Sequence, residues 1–134
     1  MIYLLDSNVW ITVLRRPTSE LARRFRSERP ADIRTCSIVV AELRHGCLRS
    51  AKPAENRSAV DSLVAPVCSL AFDDDAAEHI VRIRHDLEQA GCVIGPYDMQ
   101  IAAIARANGH TLVSHNTSEF GRVPGLSIED WQVP

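Results

Sequence analysis

Four carboxylates in this chain stand where an acid is not needed for solubility. Asp6 closes the apolar run Ile2–Leu5, and Glu42 shares a helical stripe with Ile38 and Val39. Asp98 precedes Ile101, Ala102 and Ala105 at i+3, i+4 and i+7, which puts the acid and the apolar residues on one helix face. Glu119 lies in the loop segment HNTSEF, just after the apolar strand Thr111–Ser114. Like charges gathered in a partly buried place raise each other's pKa unless a cation neutralises them. An all-oxygen donor set suits Mg²⁺ or Mn²⁺, and a sparse one leaves room for water and a substrate phosphate. A cation held this way activates water and stabilises in-line displacement at a phosphodiester.

Each acid also has a plainer role. Asp6, Ser7 or Asn8 is a good cap for the next helix. Asp98 caps its own helix, Glu42 pairs with Arg44 or another arginine, and Glu119 is a solvated loop residue. Singly, the plainer roles suffice. All four at one edge of a sheet point instead to a metal site.

The elements that must bring them together can be read from periodicity and breakers. Strands are expected at Ile2–Leu5, Ile33–Ser37, Val67–Phe72, Thr111–Ser114 and Leu126–Ile128. Helices are expected at Asn8–Leu14, at Thr18–Glu28 with Thr18 or Ser19 as cap, at Ile38–Leu48, and at Pro53–Val64. A long helix from the aspartates 73–75 to Ala90 is stopped by Gly91, and a last one, Tyr97–Ala107, ends at Asn108-Gly109. Strands separated by helices imply an α/β fold: a mainly parallel sheet of about five strands with helices on both faces. In that architecture ligands bind beyond the carboxyl ends of the strands. Asp6 sits at such an end.

At 134 residues, with 46% hydrophobic and 24% charged side chains, the chain reads as one globular domain. No apolar stretch is long enough to span a membrane, and the start lacks a signal-peptide pattern, so a cytoplasmic location is expected. The scattered cysteines, without a Cys-x-x-Cys pair, read as free thiols rather than a zinc site. The net charge of −2 hides an asymmetry: residues 1–57 carry +5 and residues 58–134 carry −7. An arginine-rich first half can track a phosphate backbone, meet an acidic protein, or simply form solvated helix faces.

LLDSN, SIVVAELRHG, IGPYDMQIAA and LVSHNTSEFGRVPGLSIEDW, in this order over nearly the whole chain, resemble the VapC toxins of the PIN-domain ribonucleases. The likeness is greatest to the branch that cuts initiator tRNA in the anticodon loop. It implies a single PIN domain over residues 1–134, acting as a Mg²⁺-dependent endoribonuclease toxin with Mn²⁺ as a substitute. The products implied are a 5′-phosphate and a 3′-hydroxyl. Asp6 and Asp98 match the family's metal-binding acids, Glu42 the acid of its S-x-x-x-x-E segment, and Glu119 the last acid of this branch. Ser7, Asn8, Ser114 and Asn116 take supporting places near the metal. A VapB-type antitoxin and a homodimer within a larger complex are the implied partners. From the charge split, Arg23, Arg24 and Arg26 are expected to bind RNA phosphates, and Trp10 or Phe25 to help form the antitoxin groove.

Two departures stand out. Asn116 occupies a place where many PIN domains carry Asp, which leaves Glu119 to supply the fourth acid. His115 replaces the first Asn of the usual T-N-N, and no role is assigned to it. Two alternatives remain at this level: the same nuclease acting on ribosomal RNA or mRNA, and a non-catalytic PIN-like binding module.

Overall fold

The first strand, β1 (Tyr3–Leu5), is buried along its whole length, which is why its apolar residues do not alternate with polar ones. It lies at the centre of a five-stranded sheet, described here over residues 1–132 of a computed structural model. The other strands are β2 (Ile33–Cys36), β3 (Cys68–Leu70), β4 (Thr111–Val113) and β5 (Ile128–Glu129). Their order is β3-β2-β1-β4-β5 and every pairing is parallel. Tyr3 faces Ile33 on one side and Thr111 on the other, so register is set by three strands distant in sequence.

Helices α1 (Ser7–Arg15), α2 (Glu20–Ser27), α3 (Ser37–Leu48) and α4 (Pro53–Val64) connect the first three strands. Helices α5 (Asp74–Ala90) and α6 (Pro96–Asn108) carry the chain back across the sheet to β4, and α7 (Thr117–Phe120) lies between β4 and β5. The reversal of direction after β3, combined with right-handed crossovers, covers the sheet on both faces. It also creates a topological switch point between β1 and β4, where a crevice opens at the strands' carboxyl ends. Helix α6 is buried almost all round, through Met99, Ile101, Ala102, Ala103, Ile104 and Ala105, because α5 packs on its outer side. Among the described residues no helix is long and apolar enough to cross a membrane.

Local chemistry sets most boundaries. Ser19 caps α2, its hydroxyl accepting from the Ala22 amide at 3.2 Å. Asp73 caps α5 through the Ala76 amide at 2.9 Å. Gly91 and Gly109 end α5 and α6 at φ of 69° and 66°, a conformation that favours glycine.

Three expectations differ from what is found. The segment around Glu119 is the short helix α7 rather than a loop; four residues are too few to show a helical period. The last strand lies at Ile128–Glu129 instead of Leu126–Ile128. Its place is set by β4: the Leu112 amide bonds to the Ser127 carbonyl and the Ser114 amide to the Glu129 carbonyl, so pairing rather than apolarity decides it. Finally, β2 passes into α3 without a loop, and the helix takes Ser37 from the expected strand.

Candidate active site

Asp6 is the first residue beyond β1, and it is only 7% exposed. Its two oxygens do different work. Oδ1 accepts from the Val9 amide at 3.1 Å and caps α1, while Oδ2 accepts from the Ser114 hydroxyl. Ser114 immediately follows β4, so this bond bridges the switch point between residues 108 apart in sequence. The plainer role and the chemical one thus coexist on one side chain. Burial pushes the Asp6 carboxyl above its ordinary range, against the two bonds, and the Glu42 charge pushes the same way.

Ser7, the first residue of α1, donates to Glu42 Oε1 at 3.0 Å, fixing an acid from α3 beside the β1 terminus. The expected partner, Arg44, turns elsewhere and pairs with Asp61 at 3.4 Å. The neighbouring Cys36 thiol is pushed up by burial and, more weakly, by the Glu42 charge.

Asp98 is the third residue of α6, a helix with no side-chain cap at Gly95. Its carboxyl is raised from 3.8 to about 6: burial acts first, then the charges of Glu119, Glu42 and Asp6, and a hydrogen bond with Glu119. One group therefore feels the other three acids. Glu119 in turn accepts from the Asn116 amide at 3.0 Å. The Asn116 backbone N–H donates to the Ser114 hydroxyl at 3.0 Å, closing a chain Asp6–Ser114–Asn116–Glu119–Asp98.

Of the sequence-predicted residues, Asp6, Glu42, Asp98, Glu119, Ser7, Ser114 and Asn116 are brought together. Asn8 joins them only through its backbone N–H, which bonds the Asp6 carboxylate; the residue is exposed, and its carbonyl accepts from the Thr12 hydroxyl. Asn116, at the place where many PIN domains carry Asp, donates its side-chain N–H to Glu119. One pair at this rim carries no signal of spacing. His115 Nδ1 lies 2.9 Å from Asp130 Oδ2, fifteen positions on, and no sequence feature announces it.

Among the described residues, none of the four acids is in an ion pair. Among the same residues, no three His, Cys, Asp or Glu side chains close tightly enough to hold a metal ion by themselves. The arrangement suits an ion that takes one or two carboxylates directly and keeps its remaining places for water, as Mg²⁺ does.

A cleft of about 250 Å³ between α1, α3 and α4 leads away from this edge. Glu42 and Arg15 flank it, and Ile11, Leu14, Leu43 and Val60 floor it. Trp10 has no part in it: it is fully buried, donates to the Leu5 carbonyl at 3.2 Å and meets Phe25 edge-on. Phe25 lines a separate groove beside Pro30 and Pro66. Arg24 is engaged by Glu28 at 2.9 Å and stacks over Trp131, while Arg23 pairs weakly with Glu20.

Known proteins that this chain resembles identify its family. The family profile of the PIN domain matches residues 3–126. Ribonuclease VapC2 of Haemophilus influenzae is 36% identical over 129 residues, covering 96% of this chain and 97% of that protein. The tRNA(fMet)-specific endonuclease VapC of Shigella flexneri is 33% identical over 129 residues, with the same coverage of 96% and 97%. Among solved structures, VapBC2 from Rickettsia felis bound to a DNA fragment from their promoter superposes with a TM-score of 0.91. It is 32% identical, over 98% of this chain and 99% of that chain. With fold, strand order and sequence in agreement over almost its full length, the chain belongs to the VapC toxins of the PIN-domain ribonuclease family.

Proposed function

We propose that this protein is a divalent-metal-dependent endoribonuclease that cuts tRNA, with the anticodon loop of initiator tRNA as its target. One observation carries the metal requirement: four acids stand together with no basic partner among the described residues, and Asp98 is raised to about 6, first by burial and then by the charges of Glu119, Glu42 and Asp6. Such a site is destabilised by its own charge, and a hard cation relieves it. The donor set is all oxygen and fits Mg²⁺, with Mn²⁺ as a substitute. When bound, that ion supplies Lewis-acid activation of water and charge neutralisation at the phosphodiester.

Asp6 and Asp98 are the acids that would hold the ion. Ser114 fixes the Asp6 carboxylate and Ser7 fixes Glu42, so neither acid must be ordered when substrate arrives. Glu119, steered by Asn116, completes the acidic edge directly or through water. With water rather than the ribose 2′-hydroxyl as the attacking group and the P–O3′ bond as the one broken, the products would carry a 5′-phosphate and a 3′-hydroxyl.

The tRNA target is supported by relatives named tRNA(fMet)-specific endonucleases in Shigella flexneri and Salmonella typhimurium, at 33% and 34% identity. Similar solved structures that are VapBC complexes, from Rickettsia felis and Salmonella typhimurium, support a VapB-type antitoxin as partner; a toxin homodimer within that complex belongs to the same reading. The apolar cleft beside Glu42 offers a place for an antitoxin segment. A single domain acting in the cytoplasm completes the reading.

The test is cleavage of a total-tRNA pool by the purified protein with Mg²⁺, with EDTA, and with Asp6→Asn in parallel, mapping the product ends. One metal-dependent cut in an anticodon loop, ending in 5′-phosphate and absent from the variant, is the expected result. Cyclic phosphate ends, or cleavage that persists in EDTA, would overturn the mechanism. Intact tRNA with metal-dependent cutting of ribosomal RNA would move the target and leave the chemistry standing.

A further inference from the structure

Among the described residues, His115 and Asp130 form a polar pair on the rim that the proposed chemistry leaves unused. His115 lies between two residues that touch the acids: Ser114, which bonds Asp6, and Asn116, which bonds Glu119. Adjacent Cα atoms are about 3.8 Å apart, so the histidine backbone belongs to the acidic edge itself. Its side chain is 63% exposed, while the Asp130 side chain that meets it is only 13% exposed.

Asp130 is itself held from several directions. Its Oδ1 accepts from the Gln132 amide at 2.9 Å, and the preceding Glu129 carbonyl accepts from the Ser114 amide at 3.0 Å. The following Trp131 is 5% exposed, donates to Glu129 Oε1 at 3.2 Å, meets the Tyr3 ring edge-on and lies under the Arg24 guanidinium. A strap anchored in the core thus presents one carboxylate to one exposed imidazole. Fixing an exposed side chain loses rotamer freedom, and packing within the fold gains nothing from it here.

Engagement of Nδ1 leaves Nε2 free and aimed by the carboxylate. A neutral ring offers an acceptor there for a ribose hydroxyl or base N–H, and a protonated ring a donor to phosphate. Either suits a strand of RNA crossing an edge whose own charges repel it.

We propose that His115, oriented by Asp130, contacts the substrate RNA beside the carboxylate edge and so positions the strand. This rests on the ribonuclease reading above. Asp130 is the positioning residue, acting through His115.

The test is binding of a fluorescein-labelled anticodon stem-loop of initiator tRNA, in EDTA to prevent cleavage, by wild type, His115→Ala, Asp130→Asn and the double variant. Cleavage kinetics follow in Mg²⁺, and thermal melting reports folding. Loss of one such hydrogen bond is expected to weaken RNA binding about tenfold and to raise KM by a similar factor. The turnover number should stay within about twofold of wild type. Asp130→Asn should weaken binding alone but add nothing in the His115→Ala background.

RNA binding unchanged in His115→Ala would overturn the contact even if the wild type cleaves normally; impaired antitoxin binding alone would assign the residue to that interface. Wild-type protein that binds RNA through His115 yet cuts nothing would instead overturn the nuclease reading and keep the contact. An Asp130→Asn loss that persists in the double variant would overturn the orienting role. A wild-type protein that neither binds RNA in EDTA nor cleaves it in Mg²⁺ would sink both.

Discussion

β1 has a charge cluster at each end, and the two are built oppositely. At its start, Tyr3 meets Arg24, whose guanidinium bonds Glu28, approaches Glu129 and stacks over Trp131. Every charge there has an opposite neighbour or an aromatic face, and the cluster ties α2 to β5. Beyond its end, Asp6 joins Glu42, Asp98 and Glu119, and the groups that bond them among the described residues are hydroxyls, amides and one another. The first cluster is finished by the fold. The second is left without an opposite charge among the described residues, as the proposed metal site requires.

That difference predicts opposite responses to removing a charge. The largest effect is expected at the acidic end on activity. Asp6→Asn should cut the rate roughly a thousandfold, since an ion's contribution of several kcal/mol is lost. Asn also caps helices well, so circular dichroism should show an intact fold. An active Asp6→Asn protein would contradict the functional side of the comparison.

Next comes stability at the compensated end. Arg24→Ala removes an ion pair, the contact with Tyr3 and the stacking over Trp131, and should lower stability by about 2 kcal/mol. On a domain of this size that appears as a fall of several degrees in thermal midpoint. An unchanged midpoint would show that the cluster is decoration.

At the acidic end the sign reverses. The Asp98 carboxyl is raised from 3.8 to about 6, so the folded state holds its proton more tightly than the unfolded chain does. That contribution is fully present below about pH 4 and is lost as pH rises through about 6. Asp98→Asn escapes the loss. Because the group is half-buried and partly screened by solvent, the variant should gain roughly 1 kcal/mol at pH 8 and nothing near pH 4. Added Mg²⁺ should raise the wild-type midpoint more than the variant's. A destabilised Asp98→Asn at pH 8 would mean the four charges are not frustrated.

The smallest effect tests alignment. Ser7→Ala frees Glu42 from its 3.0 Å bond without removing an acid. A few-fold loss of turnover with unchanged melting is expected, and a loss as large as that of Asp6→Asn would make Ser7 a direct participant.

Much of this was legible before the fold was known. The uninterrupted apolar run of β1 marked a strand buried on both faces, and Gly91 and Gly109 marked helix ends that do adopt positive φ. The acid at the third position of α6 was placed toward the core by its spacing from Ile101, Ala102 and Ala105, all buried. The misses share a cause. Helix α7 and strand β5 are too short to show a period, and β5 is placed by its pairing with β4. The engagement of Arg44 by Asp61, which leaves Glu42 free for Ser7, depends on how α4 docks against α3. Trp10 illustrates the same limit: an indole on a helix beside the site looks available until α2 closes over it through Phe25.

The chain's own chemistry therefore determined which residues are acids, which segments are strands or helices, and where those segments stop. These are local matters of side-chain burial, capping and backbone conformation. Only the tertiary structure decided that Asp6 and Ser114 meet, that Asn116 steers Glu119, and that His115 finds Asp130. Those encounters follow from the strand order β3-β2-β1-β4-β5, which sets the ends of β1 and β4 side by side. That order is a cooperative property of the whole sheet, since each strand's place is fixed by what its neighbours bury.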